Sequence, residues 1–357
     1  MGEASGQGLT VSVQRPGNGP LDQSQRVAAL EWVEAALQER LGDLVERNVA
    51  LSAFTTFRIG GPARLFLRPH CVEDLEALGD VLAQARQAWN WEIPVVAIGQ
   101  GSNLLIDDAG FFGIAVHLCG DFANVSIEDL DTKNVRVVHA GAAVKLPVLA
   151  RKCAASGCDG LGWMVGVPGS VGGAVRMNAG GHGSDVAFNL QSVIFIDLYA
   201  QRAHRVRTVL PTELDLHYRS SAVKPHQIVL SATFAGSGGN PSSLEAELSE
   251  TVRWRRANQP GGANCGSVFT NPPGHSAGKL IDDLGLKGFR LNPTATASIS
   301  EKHANFIQAD PNGRSSDVWA LVLYVRALVF ERFGLLLHPE VQTLGFDATL
   351  PTLPSLA

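Results

Sequence analysis

Nine glycines fall within residues 160–185, which read GLGWMVGVPGSVGGAVRMNAGGHGSD. A glycine inside a helix or strand costs roughly 0.5–1 kcal/mol relative to alanine, so this density predicts a loop. Consecutive backbone N–H groups in such a loop can bind an anion such as a pyrophosphate. Tight turns between buried strands are the alternative interpretation. Interleaved apolar residues, from Trp163 to Val175, place the segment against the core and favour a ligand-binding loop.

A second glycine loop, residues 99–103 with the sequence GQGSN, follows a short apolar strand predicted at residues 94–98. Alone it is half of a dinucleotide fingerprint and therefore weak evidence. Leu104 and Leu105 continue as a strand instead of opening a helix, which argues against a Rossmann turn. A phosphate-holding loop with Ser102 and Asn103 as side-chain donors fits the pattern.

The composition is that of an ordinary globular protein. A chain of 357 residues with 45% hydrophobic content favours two or three domains. A net charge of −5 argues against nucleic acid or an anionic membrane as a partner. No apolar run of membrane-spanning length and no signal peptide is visible, so we expect a cytoplasmic protein. The five cysteines form no C-x-x-C pair, and we expect neither disulfides nor a metal site.

Helical and strand patterns are mixed without strict alternation, which predicts an α+β fold. Residues 1–21 are rich in Gly, Gln, Ser and Pro and predict a flexible extension. Asp22 is predicted to cap a helix whose apolar face carries Leu30, Val33, Leu37, Leu41 and Leu44. Further helices are predicted over residues 72–89, 244–256 and 316–333, and the last strand over residues 335–346.

Three polar residues have contexts that suit chemistry, although each also has an ordinary explanation. Arg219 lies in a connector, where arginine is commonly solvated, and Ser267 lacks the G-x-S-x-G elbow of an acyl-enzyme nucleophile. Glu340 lies in an apolar segment, where it is either ion-paired or buried with a raised pKa. His182 is best interpreted as a histidine lining a pocket. Residues 274–280 have the wrong spacing for a phosphate-binding Walker loop.

These residues lie in a series of motifs that together resemble the UDP-N-acetylenolpyruvoylglucosamine reductases of bacterial peptidoglycan synthesis. The resemblance covers residues 48–345 and is carried by NVALSAFTTFRIGGPA, IGQGSNLLI, GVPGSVGGAVRMNAG, YRSS, RRANQP, CGSVFTNPPGHSAGKLID, GLKGFR, SEKHANFI and HPEVQTLG. Several independent motifs in the same order are far more specific than one glycine loop.

The resemblance implies an α+β fold with a two-part FAD-binding module of the vanillyl-alcohol-oxidase type and a C-terminal α+β substrate-binding domain. The implied boundaries are residues 22–120 and 121–240 for the two FAD-binding subdomains and 241–357 for the substrate domain. FAD is the implied cofactor and NADPH the co-substrate. The implied FAD-binding residues are Thr56, Arg58, Gly60, Gly61, Gly99, Gly101, Ser102, Asn103, Gly166, Pro168, Gly169, Ser170, Gly172, Gly173, Asn178 and Ala179.

The implied reaction is reduction of UDP-N-acetylglucosamine enolpyruvate to UDP-N-acetylmuramate. NADPH reduces FAD, and hydride then passes from N5 of the flavin to C3 of the enolpyruvyl ether. By resemblance, Arg219 and Glu340 stabilise the enolate and Ser267 donates a proton to C2. Asn271, Arg255 and Tyr218 are the implied substrate-binding residues. No second dinucleotide-binding fold is visible, which agrees with successive use of one site by NADPH and substrate.

The chain departs from the usual motifs at three places. His338-Pro339-Glu340-Val341-Gln342 replaces Glu-Pro-Glu-Val-Arg, which changes the charges near Glu340. Arg176 stands for a tyrosine and Gly181-His182 for alanine-tyrosine, which adds positive charge near the flavin or the phosphates. Two alternatives stay open: an FAD-dependent oxidase or dehydrogenase of the same fold acting on a sugar or alcohol, and a non-catalytic flavin-binding protein.

Overall fold

The structure is a computed structural model that describes residues 21–130 and 134–346. The predicted flexible extension therefore lies outside the described residues, except for Leu21, whose side chain is buried. The end of the predicted substrate domain, residues 347–357, also lies outside them. Within the described residues, helices and strands are mixed as the α+β prediction requires.

The first part of the chain forms a four-stranded sheet with two helices. Strands β2 and β5 pair in parallel, as do β5 and β3, while β1 pairs antiparallel with β2, giving the order β1-β2-β5-β3. Parallel strands covered by helices are buried on both faces, which explains the almost unbroken apolar sequence of β2. The elements are α1 (Gln23–Leu41), β1 (Val45–Ala50), β2 (Pro62–Leu67), α2 (Val72–Trp89), β3 (Val95–Ala97), β4 (Leu104–Ile106) and β5 (Phe111–Val116).

Helix α1 begins as predicted. The Asp22 carboxylate accepts a hydrogen bond from the Gln25 N–H at 2.9 Å, and the Gln25 side chain accepts one from the Asp22 N–H at 3.0 Å. This reciprocal arrangement is a capping box, which satisfies amides that have no partner within the helix. Three residues of the predicted face, Leu30, Val33 and Leu37, are buried, whereas Leu41 and Leu44 are partly buried and Leu44 lies beyond the end of the helix.

The second part of the chain is a six-stranded sheet in which every pairing is antiparallel. Five strands follow the order β12-β11-β13-β7-β6, and β8 pairs with the end of β13. The core beneath this sheet is closed by α3 and α4. The elements are β6 (Val125–Leu130), β7 (Val135–Gly141), α3 (Leu146–Ala155), β8 (Cys158–Asp159), α4 (Val171–Met177), β9 (Gly180–Gly181), β10 (Ser184–Asp185), α5 (Val186–Asn189), β11 (Leu190–Asp197), β12 (Val206–Val209) and β13 (Gln227–Gly238).

The last part of the chain packs around one long helix. The buried residues of α8 include Val318, Leu321 and Val325, which recur at helical spacing and lie on one face. The C-terminal strand β16 then returns to the first part of the chain and pairs in parallel with β4. The elements are α6 (Pro241–Asn258), α7 (Ala277–Asp283), β14 (Ala297–Ile299), β15 (Ile307–Ala309), α8 (Ser315–Phe333) and β16 (Gln342–Leu344).

Two predictions of local structure were wrong. The glycine-rich segment is not only a loop, because Gly172 and Gly173 lie inside α4. A methyl group at Gly172 would lie 3.0 Å from the Ala142 Cβ, so close packing against the strand connection selects glycine despite its helix propensity. The predicted strand over residues 335–346 is also too long, since only Gln342–Leu344 forms one.

No helix in the described part of the chain is long and apolar enough to cross a membrane. All five cysteines, which lie within the described residues, are free thiols, as the sequence predicted.

Candidate functional site

A cavity of about 940 Å³ lies where the two glycine loops meet the C-terminal part of the chain. Most of the residues predicted for cofactor, substrate or catalysis line it. These residues are Gly99, Gly101, Ser102, Asn103, Gly166, Pro168, Gly169, Ser170, Gly173, Ala179, Tyr218, Arg219, Arg255, Ser267, Asn271 and Glu340. A fold that brings together residues spread over 240 positions makes this cavity the candidate site.

The loop of residues 99–103 offers a row of unpaired backbone donors. Among the described residues, none of its five amides donates a hydrogen bond to a protein atom. The amides of Gly169 and Ser170 in the other loop are likewise unused by the described residues. Buried or half-buried N–H groups normally have partners, so two facing sets of free donors indicate a place for an anionic ligand.

The two loops touch each other directly. The Ser102 hydroxyl donates to the Pro168 carbonyl at 2.7 Å, and a side chain at Gly99 would overlap the Ser170 hydroxyl. Glycine at position 99 is therefore required by close approach of the loops. Glycine is favoured at position 101 for a different reason. Its φ is +54°, and a methyl group there would overlap the Phe54 carbonyl oxygen.

Six predicted cofactor residues do not line the large cavity. Gly60 and Gly61 lie against backbone atoms of residues 106–110, where an added Cβ would have no room. The Thr56 N–H donates to the Gly101 carbonyl at 3.3 Å. Thr56 therefore holds the loop of residues 99–103 in place without lining the cavity. The residues outside the cavity wall are Thr56, Arg58, Gly60, Gly61, Gly172 and Asn178.

Gly172 and Asn178 also have packing roles. Gly172 lines a separate cavity of about 100 Å³ that shares Gly99, Ser170 and Arg176 with the large one. Asn178 is buried, ends α4 with a φ of +39°, and donates to the His217 carbonyl at 2.9 Å. It therefore orients the connector that carries Arg219.

Arg219 and Glu340 form an ion pair in the cavity wall. Arg219 Nε lies 2.9 Å from Glu340 Oε1, and Arg219 Nη2 donates to the Gly180 carbonyl at 2.9 Å. The two side chains are only 22% and 17% exposed, so water screens the pair weakly. Arg219 has a φ of +58°, a conformation that costs energy for any residue except glycine. The backbone strain thus occurs at a residue predicted to be catalytic.

Glu340 is both ion-paired and half-buried, although from the sequence these were alternative expectations. Burial raises the pKa of Glu340, and the charge of Arg219 and its hydrogen bond oppose that rise without cancelling it. The Glu340 charge in turn adds to the effect of burial in raising the pKa of the Cys265 thiol, which also lines the cavity. The carboxyl group therefore holds a proton more readily than an exposed glutamate does.

Backbone pairing places Ser267 beside Glu340. The Glu340 N–H donates to the Val268 carbonyl at 2.7 Å, and Phe269 forms a β-bridge with Pro339. Ser267 precedes this paired segment and lines the cavity. Within residues 21–130 and 134–346 its hydroxyl has no hydrogen-bond partner, which leaves it available to a ligand.

Two asparagines position this segment, a role that the sequence predicted for neither of them. Asn305, which is buried, donates to the Phe269 carbonyl at 2.8 Å and accepts from the Phe269 N–H at 3.0 Å. Asn103 donates from its side chain to the Glu340 carbonyl at 3.0 Å, which ties the glycine loop to the segment that carries Glu340. Asn305 lies in the motif SEKHANFI, which is mostly polar, so its local sequence carried no signal that singled out this asparagine.

The three predicted substrate-binding residues differ in how many of their side-chain hydrogen-bonding groups are already used within the protein. Asn271 accepts from the Ala277 N–H at 3.0 Å through its oxygen, so its amide nitrogen remains a donor. Arg255 already donates to the Gly166 carbonyl and, at 2.8 Å, to Gln259. Tyr218 is 59% exposed, and the Arg219 guanidinium lies 5.1 Å from its ring centroid. Asn271 and Tyr218 therefore each keep a free side-chain donor, whereas the donors of Arg255 are partly used.

The two departures near the glycine loop have different electrostatic effects. Arg176 donates to the Val223 carbonyl at 3.3 Å, and burial lowers its pKa. Burial and, to a lesser extent, the charge of Arg255 lower the pKa of His182. His182 is therefore neutral at pH 7, so only Arg176 adds the positive charge that the sequence suggested.

Comparison with known proteins gives two family matches within this chain. Residues 64–198 match the family model of an FAD-binding domain. Residues 258–344 match the model described as UDP-N-acetylenolpyruvoylglucosamine reductase, C-terminal domain. The comparison confirms the predicted pairing of an FAD-binding module with a C-terminal reductase domain.

This chain aligns with nearly the full length of several known proteins. The chain is 40% identical over 304 residues to UDP-N-acetylenolpyruvoylglucosamine reductase of Synechococcus sp. strain RCC307, which covers 84% of this chain and 94% of the relative. It is 37% identical to the reductase of Prochlorococcus marinus strain NATL2A, with coverage of 85% and 98%.

The crystal structure of UDP-N-acetylenolpyruvylglucosamine reductase from Thermus caldophilus matches with a TM-score of 0.68 and 33% identity. This alignment covers 84% of this chain and 98% of that one. The resemblance drawn from the motifs, the α+β fold class and the prediction of an FAD-dependent enzyme are confirmed. The chain belongs to the UDP-N-acetylenolpyruvoylglucosamine reductase family.

Proposed function

We propose that the chain reduces UDP-N-acetylglucosamine enolpyruvate to UDP-N-acetylmuramate with NADPH as the reductant. The observation that carries the proposal is the Arg219–Glu340 ion pair, with Ser267 on the paired segment beside it, in the wall of the large cavity. A cation, a carboxyl group whose pKa is raised by burial and a free hydroxyl are groups suited to stabilising and protonating an enolate.

FAD fits the two glycine loops. The unused amides of residues 99–103, together with those of Gly169 and Ser170, form a set of donors suited to a pyrophosphate. The packing of Gly99 against Ser170 explains why the loops carry no larger side chain at that contact. When bound, FAD would supply the redox chemistry, taking two electrons from NADPH and delivering them to C3 of the substrate.

Arg219 and Glu340 act on the negative charge that develops in the enolpyruvyl group. The guanidinium is held by Glu340 and by the Gly180 carbonyl, so it is oriented before substrate binds. A fixed cation in a site with little water stabilises an enolate oxygen without the energetic cost of reorientation. A protonated Glu340 would donate a hydrogen bond to the same group, and the raised pKa supports this role.

Ser267 would donate the proton that C2 of the substrate gains. A serine hydroxyl is a very weak acid, and it can act only because the developing carbanion is a strong base. Its lack of a partner among the described residues supports this role, since no other acceptor competes for the proton. Asn271, Tyr218 and, with fewer free donors, Arg255 would bind the remainder of the substrate.

We also infer that the chain divides near residues 120 and 240 into two FAD-binding subdomains and a substrate domain. The grouping of strands supports this division, because the four-stranded sheet ends at Val116 and the six-stranded sheet at Gly238. The pairing of β16 with β4 then joins the substrate domain to the first subdomain beside the cavity.

An anaerobic spectroscopic titration tests the proposed function. NADPH should bleach the flavin absorbance of the purified protein, and UDP-N-acetylglucosamine enolpyruvate should restore it without oxygen. Restoration by air alone, with no response to the enolpyruvyl compound, would identify an oxidase. A flavin that does not respond to NADPH would rule out the proposed reaction and leave an oxidase or dehydrogenase reduced by a sugar or alcohol, or a non-catalytic flavin-binding protein.

A further inference from the structure

Trp254 is a large aromatic side chain left open to the cavity. It lies on α6, lines the 940 Å³ cavity and is 51% exposed. A tryptophan usually buries most of its area, so an exposed indole in a ligand cavity indicates a surface that a ligand covers. Phe188, although 79% exposed, does not line the cavity.

The ring of Trp254 is supported from one side. The His182 imidazole meets it in an edge-to-face arrangement, with ring centroids 5.4 Å apart and an interplanar angle of 85°. His182 in turn lies against Gly166, where an added side chain would overlap the imidazole. This chain of contacts holds the indole relative to the glycine loop before any ligand binds.

The surroundings of Trp254 match the chemistry of a nucleotide. Arg255, the next residue on α6, lines the same cavity, and its charge acts on His182, the residue that packs against the indole. An aromatic face next to a cation suits a ligand that carries a planar base next to phosphates. Trp254 is far more exposed than Glu340, so it lies toward the open side of the cavity, where the non-reacting end of a nucleotide would extend.

We propose that the Trp254 indole stacks on the base of a nucleoside diphosphate bound in the cavity. The base would be the uracil of the sugar nucleotide or the adenine of NADPH, an identification that rests on the proposed function. His182 is a positioning residue for this platform, because it fixes the ring on which the base stacks.

The test is isothermal titration calorimetry of the FAD-loaded protein with UDP, with NADP⁺ and with inorganic pyrophosphate as three separate ligands. Trp254→Ala should weaken binding of UDP, of NADP⁺ or of both by about tenfold, as expected for loss of one stacked base. Trp254→Phe should lose no more than about threefold, because a smaller aromatic face remains. Phe188→Ala, a matched removal of an exposed aromatic side chain outside the cavity, should change nothing.

Each pattern of results decides the proposal. A loss confined to UDP assigns the platform to uracil, a loss confined to NADP⁺ assigns it to adenine, and a loss of both means that the ligands use it in turn. Unchanged affinities in Trp254→Ala overturn the proposal, as does failure of the wild-type protein to bind either nucleotide. An equal loss for pyrophosphate also overturns it, because the effect would then reach the phosphates and not the base.

Flavin content and the melting temperature of Trp254→Ala control for folding. Failure of this inference is distinguishable from failure of the proposed function. If the wild-type protein reduces the enolpyruvyl substrate and Trp254→Ala binds UDP and NADP⁺ with unchanged affinity, only the stacking site is disproved. If Trp254→Ala binds UDP more weakly but the wild-type protein never transfers electrons to the enolpyruvyl substrate, only the proposed reaction is disproved.

Discussion

Arg219 Nε lies 2.9 Å from Glu340 Oε1, although the two residues are far apart in sequence and come from different parts of the fold. Neither side chain is freely hydrated, and removing one partner from such a pair leaves the other charge poorly compensated. The pair therefore couples the connector between β12 and β13 to the C-terminal segment. It also links stability to pH through the raised pKa of Glu340.

Replacing Arg219 should make the protein less stable at neutral pH than at acidic pH. Arg219→Met removes the charge that opposes the effect of burial, so the pKa of Glu340 rises further. Because the folded-state pKa is then well above the unfolded value, stability is present at low pH and is lost as pH rises through the folded pKa. We expect a loss of about 2 kcal/mol at pH 7 that shrinks toward pH 4.

Thermal or denaturant unfolding between pH 4 and pH 8 measures this effect. Adding Glu340→Gln to Arg219→Met should remove most of the pH dependence, because the buried group no longer ionises. Arg256→Met is the control for loss of a cation, since Arg256 is exposed and lies outside the cavity wall. A loss in Arg219→Met that is equal at every pH would contradict the coupling.

Ser267→Ala should separate the two half-reactions. Reduction of the flavin by NADPH should proceed nearly as in wild type, whereas reoxidation by the enolpyruvyl substrate should slow by about 10²–10⁴-fold, the usual contribution of a general acid. Anaerobic stopped-flow absorbance at the flavin band measures both steps. Equal slowing of the two steps would show that Ser267 supports the structure and does not donate the proton.

Gly101→Ala should abolish retention of the cofactor. The φ of +54° disfavours alanine, and its methyl group would overlap the Phe54 carbonyl and lie 2.7 Å from the Thr55 Cα. The loop must then shift, which displaces the row of free amides. The ratio of flavin to protein absorbance after purification measures the effect. Gly261→Ala is the control, because its added methyl group meets nothing within 4 Å.

Asp108→Ala should destabilise the contact between the first part of the chain and α8. Asp108 accepts hydrogen bonds from the Ser315 N–H at 2.7 Å and the Ser316 N–H at 3.1 Å, at the first residues of the helix. It thus caps α8 from a distant position in the sequence, because Arg314 at the N-cap provides no side-chain hydrogen bond. Loss of this cap should cost about 1–2 kcal/mol in urea unfolding.

The contribution of Asp108 should also depend on pH. Burial raises the pKa of Asp108, but the hydrogen bonds from Ser315 and Ser316 outweigh burial and lower it. The stabilisation is therefore present above the unfolded pKa, about 4, and disappears as pH falls through the lower folded value. Wild type and Asp108→Ala should converge in stability in that acidic range. Asp43→Ala, which removes an exposed carboxylate elsewhere, should show no such convergence.

Local sequence patterns predicted much of the secondary structure. The helix over residues 72–89 is the α2 that forms, and the Asp22 cap and the buried Leu30, Val33 and Leu37 of α1 are present as expected. These features depend on side-chain periodicity and short-range hydrogen bonds, which a linear sequence displays. The glycine loops and the order of the motifs likewise indicated the family and its cofactor.

The tertiary structure alone decided how these pieces work together. Gly172 stands inside a helix because the close approach of Ala142 leaves no room for a side chain, and Gly60 packs against Ile106 and does not line the cavity. Glu340 is at once half-buried and paired with Arg219 because β16 returns to β4. A sequence specifies local conformation through neighbouring residues, whereas close approach, burial and charge pairing depend on residues that only the folded chain brings together.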